Sequence, residues 1–221
     1  MKRYFSLLLL LVAFVPLRMA AQYYEIANQL PSLISPALSG SASYKGFVEF
    51  SGLAGLGHNR ANDIGISTSQ GFQYTPWFFM GVGAGVDVMM AQQPDGWQPN
   101  PDYSYMSRGT SKTKAMIPVF SDFRFNIGDR SRTSFFIDIK LGAAWLIGSS
   151  CLRMADGFMT NNTQFFMRPS LGVRIPVSAQ NPDHAFNIGL TYQLLTSNNN
   201  YYRNSNSLTL NNLGVSVSYE W

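Results

Sequence analysis

From Tyr44 to the C-terminus the chain repeats one unit, a stretch of about ten or more residues in which apolar side chains alternate with small or polar ones, followed by a turn. Alternation with period two puts successive side chains on opposite faces of a strand. The last nine residues show it most plainly. Leu213, Val215, Val217, Tyr219 and Trp221 share one face, and Gly214, Ser216, Ser218 and Glu220 the other. The same reading predicts strands over 44–57, 63–74, 77–90, 114–127, 134–147, 164–176 and 185–195, with an eighth running from the end of a 197–207 loop to Trp221. In the fifth of these, Phe135, Ile137, Ile139, Leu141, Ala143, Trp145 and Ile147 oppose Asp138, Lys140, Gly142 and Ala144.

Eight strands is an even number, which puts both ends of the sheet on the same side. The connections after the second, fourth and sixth strands are short, and those after the third, fifth and seventh are longer, spanning 91–113, 148–163 and 197–207. A transmembrane barrel has this arrangement, with short periplasmic turns and long outer loops. A soluble sandwich also buries one apolar face per sheet, so periodicity alone leaves both architectures open. The terminal aromatic and the gathering of Tyr74, Phe78, Phe125, Phe135, Phe186, Tyr219 and Trp221 at one predicted rim point to the barrel, where aromatic rings mark the membrane interface.

The N-terminus supports export. Met1-Lys2-Arg3 precedes an apolar run with five consecutive leucines, Leu7 to Leu11, and Met19-Ala20-Ala21 supplies small residues at a cleavage site, the three parts of a secretory signal peptide over 1–21. The run is too short to span a membrane. Residues 22–43, with Pro31 and Pro36 interrupting a helix-like spacing, form a periplasmic lead-in that is a short broken helix or an extended segment. Residues 44–221 form the barrel. Removing Lys2, Arg3 and Arg18 from the 16 basic residues leaves 13 against 12 acidic ones, so the basic pI belongs largely to the leader and gives no case for nucleic acid. The single Cys151 excludes an internal disulfide and reads as a loop residue.

The segment from Tyr44 to Trp221 resembles the small eight-stranded outer-membrane β-barrels, the OmpA/OmpX-like class, through its alternation, its strand count and the ending Val215-Ser216-Val217-Ser218-Tyr219-Glu220-Trp221. Pro36-Ala37-Leu38-Ser39-Gly40 followed by Tyr44-Lys45-Gly46-Phe47-Val48-Glu49 is similar to the lead-in and first strand of uncharacterised barrel-domain members. The resemblance implies an all-β, antiparallel, up-and-down transmembrane barrel integral to the outer membrane, monomeric, with both termini periplasmic. It also implies that Tyr219 and Trp221 are read by the barrel insertion machinery. Members of this class are structural, adhesive, defensive or enzymatic, so the fold does not settle an activity.

Candidate chemistry lies inside the barrel and in its loops. Glu49, Asp87, Asp122, Arg124, Asp138, Lys140, Arg168, Arg174 and Glu220 fall on the inward face. An eight-stranded interior has room only for side chains, so five acids and four bases must pair there and close the lumen. Arg124 and Arg168 are expected as structural counter-ions to carboxylates such as Asp122, Asp138 and Glu220; the competing reading is a narrow ion path or ligand site. Gly81-Val82-Gly83-Ala84-Gly85 lies within a strand with no helix after it, which excludes a dinucleotide loop and leaves room for bulky lumen neighbours. No metal-ligand spacing is present and no cofactor is implied. His58, in the first outer loop, is the residue that a lipid A or phospholipid-modifying enzyme would use as general base; His184 falls in a turn. Trp97, Tyr103, Tyr105, Tyr201 and Tyr202, set among Asn, Ser and Pro, suit either contact with an extracellular protein or glycan or anchoring at the lipopolysaccharide interface. The reading is a non-enzymatic barrel with a structural or surface-binding role, the alternatives being the lipid-modifying enzyme and a diffusion pore.

Overall fold

The computed structural model describes residues 42–57, 60–92, 110–147, 151–152, 163–197 and 208–221. The expected signal peptide and the lead-in up to residue 41 lie outside these. Eight long strands close into a barrel: β1 (Ser43–Leu56), β2 (Arg60–Thr75), β3 (Phe78–Gln92), β5 (Thr113–Ile127), β6 (Ser134–Leu146), β8 (Gln164–Ser178), β9 (Asn181–Ser197) and β10 (Leu208–Glu220). Each pairs antiparallel with the next, and β10 returns to β1 through Phe47 opposite Glu220 and Ser51 opposite Ser216. Closure removes the unpaired edge that an open sheet would expose. Backbone bonds between Gly46 and Trp221, 3.0 and 3.1 Å, carry the seam to the last residue.

The expected alternation holds in all eight strands, and the differences lie at strand ends and in the loops. β2 starts at Arg60 rather than 63, because Arg60 and Ala61 still find partners in Gln92 and Ala91 of a longer β3. β9 starts at Asn181 rather than 185: the turn is only Ala179-Gln180, and Asn181 pairs with Ser178 before the register shifts between Pro176 and Ser178. Prolines lack the N–H a regular ladder needs, and Pro176 and Pro182 flank this irregular stretch. A further difference is an additional pair of two-residue strands, β4 (Thr110–Ser111) and β7 (Cys151–Leu152), which run parallel and join the loops after β3 and β6. Cys151 therefore belongs to a ladder and not to an open loop.

The outside of the barrel is apolar. Phe50, Ile66, Val82, Val86, Leu171, Ile188, Leu190 and Val215 are all exposed, far more contiguous apolar surface than a water-soluble monomer carries. At the turn end lies an aromatic rim in which Phe78 sits 5.2 Å from Phe125, Phe186 5.3 Å from Tyr219, and Tyr219 6.2 Å from Trp221. Trp77, outside the set expected from sequence, stacks on Phe125 at 6.2 Å. In β6 the exposed positions run from Phe135 at the turn end to Trp145 near the loop end. Ten residues at about 3.3 Å each, tilted about 40°, span roughly 25 Å, the height of a transmembrane barrel's apolar band. These features describe a barrel that crosses a membrane on its strands.

Candidate functional site

All nine charged residues expected in the lumen point inward and are buried, none more than 4% exposed. Lys45, Asp63 and Lys114 join them, so that the described lumen holds six acidic and six basic side chains. Asp63 and Lys45 stand at the starts of the strands expected over 63–74 and 44–57, where alternation has hardly begun. Both follow the inward parity of their strands once the strand ends are known.

The charges lie in three clusters, with aromatic rings stacked on Arg124 and Arg168. Toward the turn end, Glu220 accepts from Arg174 Nε at 2.7 Å and from Arg130 Nη2 at 2.7 Å, with Lys45 Nζ at 3.7 Å. Lys45 also donates to Asp183 at 2.7 Å, and Arg174 donates to the backbone oxygens of Arg130 and Pro182. This cluster ties β1, β8, β9, β10 and the turn holding Arg130 together across the mouth. The turn holding Arg130 is itself held by Asp129, whose carboxylate accepts the Ser131 N–H at 2.9 Å; that backbone bond keeps the carboxyl below its ordinary range.

The central cluster comprises Glu49, Asp122, Arg124, Asp138 and Lys140. Lys140 Nζ lies 2.5 Å from Glu49 and 3.4 Å from Asp138, and Arg124 Nη2 lies 2.8 Å from Asp138. The Arg124 guanidinium stacks over Phe47 at 4.0 Å and Phe136 at 4.8 Å, so part of its burial is offset by cation–π contact. Ser69 donates to Asp122 at 2.5 Å. The third cluster, nearer the loops, is built on Arg168, which bonds Asp87 at 2.5 Å, lies 3.9 Å from Asp63, and donates to Gln193. Gln193 in turn donates to Asp63 at 2.9 Å. The expected role of Arg168 as counter-ion to Asp122, Asp138 or Glu220 is thus corrected: its partners are Asp87 and Asp63. Proximity along β2 and β3 decides this, because Gly65 is in register with Asp87 and has no side chain to keep the carboxylate away. The glycines of β3 act as the sequence suggested, since a Cβ on Gly83 would stand 2.5 Å from the Phe120 ring.

Beyond Arg168 the lumen changes character. Ala61, Met89, Met116, Phe120, Ala144, Leu146, Phe166, Leu195 and Leu210 pack into one apolar cluster, and Leu152, brought in by β7, is fully buried within it. Sequence reading missed this layer because each strand contributes only one or two of its residues.

His58 and the loop aromatics Trp97, Tyr103, Tyr105, Tyr201 and Tyr202 lie outside the described residues. His184, the one described histidine, shares a 2.9 Å hydrogen bond with Tyr219 on the exposed rim. No group of three or more metal-ligating side chains occurs among the described residues.

The eight long strands form a closed, antiparallel barrel with an apolar exterior and a charged interior. No protein family matches the sequence, and no curated protein matches it. Among solved structures the chain is similar to Neisserial surface protein A, with a TM-score of 0.48 and 9% identity over 81% of this chain and 97% of that one. It is also similar to the outer membrane enzyme PagL, with a TM-score of 0.42 and 14% identity over 80% and 98%. One of these is titled a surface protein and the other an enzyme, and both likenesses are too distant to carry an activity across.

Proposed function

We propose that the protein is a non-enzymatic integral outer-membrane barrel, with both termini periplasmic, whose lumen is closed and whose work is structural or done through its outer loops. The observation that carries this reading is the filled interior: three ion-pair clusters with aromatic rings packed against them, and an apolar layer toward the loops that includes Leu152. A diffusion pore needs an open polar path, whereas the described interior is occupied by buried side chains. In an eight-stranded barrel there is little interior left once side chains occupy it. With the lumen given over to packing, contact with a partner falls to the loops, where Trp97, Tyr103, Tyr105, Tyr201 and Tyr202 would meet an extracellular protein or glycan, or lipopolysaccharide. Tyr219 and Trp221 at the β10 end would serve the insertion machinery. Among the described residues no histidine is hydrogen-bonded to a serine or a carboxylate, so a lipid-modifying centre would have to be assembled around His58.

Two measurements test this. Planar-bilayer recordings of the purified protein should show no stable open channel, and sustained conductance would overturn the closed lumen. Mass spectra of lipid A and phospholipids from cells with and without the protein should be identical. A mass change lost in His58→Ala would replace the non-enzymatic reading with the enzymatic one.

A further inference from the structure

The central cluster of the lumen does not balance. Glu49, Asp122 and Asp138 oppose only Arg124 and Lys140. Lys140 is the register partner of Asp122 across β5 and β6, yet its ammonium group is turned to Glu49 and Asp138. Asp122 is therefore the one carboxylate of the six in the lumen that forms no ion pair among the described residues, although it is fully buried. Its Oδ2 accepts from Ser69, and its Oδ1 has no hydrogen-bond partner; the same is true of Asp138 Oδ1. The two side chains stand diagonally on neighbouring strands, and both are fully buried in the lumen.

Two ionised carboxylates cannot hydrogen-bond, because neither has a donor. A buried negative charge with no counter-ion is among the costliest things a protein interior can hold, and a carboxyl pair relieves it by keeping one proton. The charged groups that face the pair are Glu49 from β1, Arg124 from β5 and Lys140 from β6. β2 contributes the neutral Ser69, and the β3 residue in register with Asp122 is Gly81. On β8, Arg168 is in register with Lys140 but is engaged by Asp87. Lys114 is buried in β5 nearer the loops, where it makes contacts of its own.

We propose that Asp122 and Asp138 form a buried proton-binding site in the middle of the lumen, one proton from water bonded to one carboxyl and hydrogen-bonded to the other. Asp138 faces both cations and carries the negative charge; Asp122 is the residue that carries the proton. With that proton in place the cluster is neutral, and Ser69, Asp122, Asp138 and Arg124 form a continuous hydrogen-bonded chain across β2, β5 and β6. Two carboxylates with an arginine beside them suit a proton, whereas a divalent ion would require more oxygen ligands than the pair offers.

The site deepens the closed-lumen reading, and the two are tested apart, since conductance decides whether the lumen is closed and vibrational spectroscopy decides the proton. Infrared spectra of the full-length mature barrel in lipid at neutral pH should show the carbonyl stretch of a protonated carboxylic acid. That band should move when aspartate is isotopically labelled and vanish in Asp122→Asn. Because an amide reproduces the shape and donor of the protonated acid, Asp122→Asn should unfold at nearly the parent temperature, while Asp138→Asn, which takes the carboxylate from Arg124, should unfold well below it. The labelled parent protein alone decides the matter if a variant fails to fold: absence of an aspartic acid band overturns the proposal. So does a band unchanged in Asp122→Asn. Stabilisation by sodium but not choline, lost in Asp122→Asn and without the band, would assign an alkali cation to the site and overturn the proton.

Discussion

At the loop end of the lumen the inward side chains include Met89, Met116, Leu146, Leu195 and Leu210, with the polar Lys114 and Gln164 buried beside them; a few residues along the same strands they are Asp87, Asp122, Lys140, Gln193 and Asn212. Both regions fill the same narrow tube and both are buried. They differ in what a single error costs. An apolar layer that loses a side chain keeps a cavity whose walls still match. A charged layer that loses one member keeps an opposite charge with nowhere to go. The loop end can therefore drift among aliphatic residues, whereas each position of the ionic layers depends on a particular partner.

The largest expected effect comes from breaking an ion pair on one side only. Arg168→Ala leaves Asp87 and Asp63 facing each other without their shared cation, and removing one partner of a buried pair costs roughly 3–5 kcal/mol. The temperature at which the unboiled protein loses its fast gel mobility should fall sharply. A value equal to the parent's would mean that Arg168 serves a ligand rather than the fold. In the apolar layer, Leu195→Ala should cost about 2–5 kcal/mol from lost burial and the cavity left behind. That loss should be independent of pH, because no titrating group is unpaired by it; a pH-dependent loss would show the layer is wetter than its composition implies.

A third change sets the lumen against the lipid. Ile139 and Lys140 are adjacent in β6 and face opposite ways. Arginine at a lipid-facing midplane position costs roughly 2–4 kcal/mol, so Ile139→Arg should impair insertion far more than Lys140→Arg, which keeps the charge where Glu49 meets it. A one-residue slip of register reverses the two faces, and the opposite ranking of the two variants would reveal it.

The inward set was legible because a strand repeats every two residues: once Lys140 is inside, Asp138 and Gly142 follow. Which strands hold each other's counter-ions was not. Arg168 on β8 reaches Asp87 on β3 across the tube, 81 positions earlier in the chain, and no local pattern encodes that distance. Asp63 and Lys45 have the inward parity of Ser67 and Glu49, but as the first residues of their strands they have too few neighbours before them for the alternation to declare a face. Leu152 was beyond it altogether, since β7 is two residues long and shows no period.

The smallest expected effect is the most informative about the comparison. Glu49→Gln with Lys140→Met removes both charges of a 2.5 Å pair while keeping side chains of similar volume. The central cluster then retains Asp122, Asp138 and Arg124, so its net charge is what it was before. Lys140→Met alone should cost roughly 3–5 kcal/mol, because it leaves Glu49 buried without its cation, whereas Glu49→Gln alone should cost less, because Lys140 keeps Asp138 at 3.4 Å. Replacing both together should shift stability by no more than about 1 kcal/mol, since a buried ion pair exchanged for neutral groups of matching size is often close to neutral. The gap between the double variant and the sum of the singles measures the coupling. If the double variant is as unstable as either single one, the pair does more than fill the tube, and the ionic layers are specifying the barrel's register in a way the apolar layer does not.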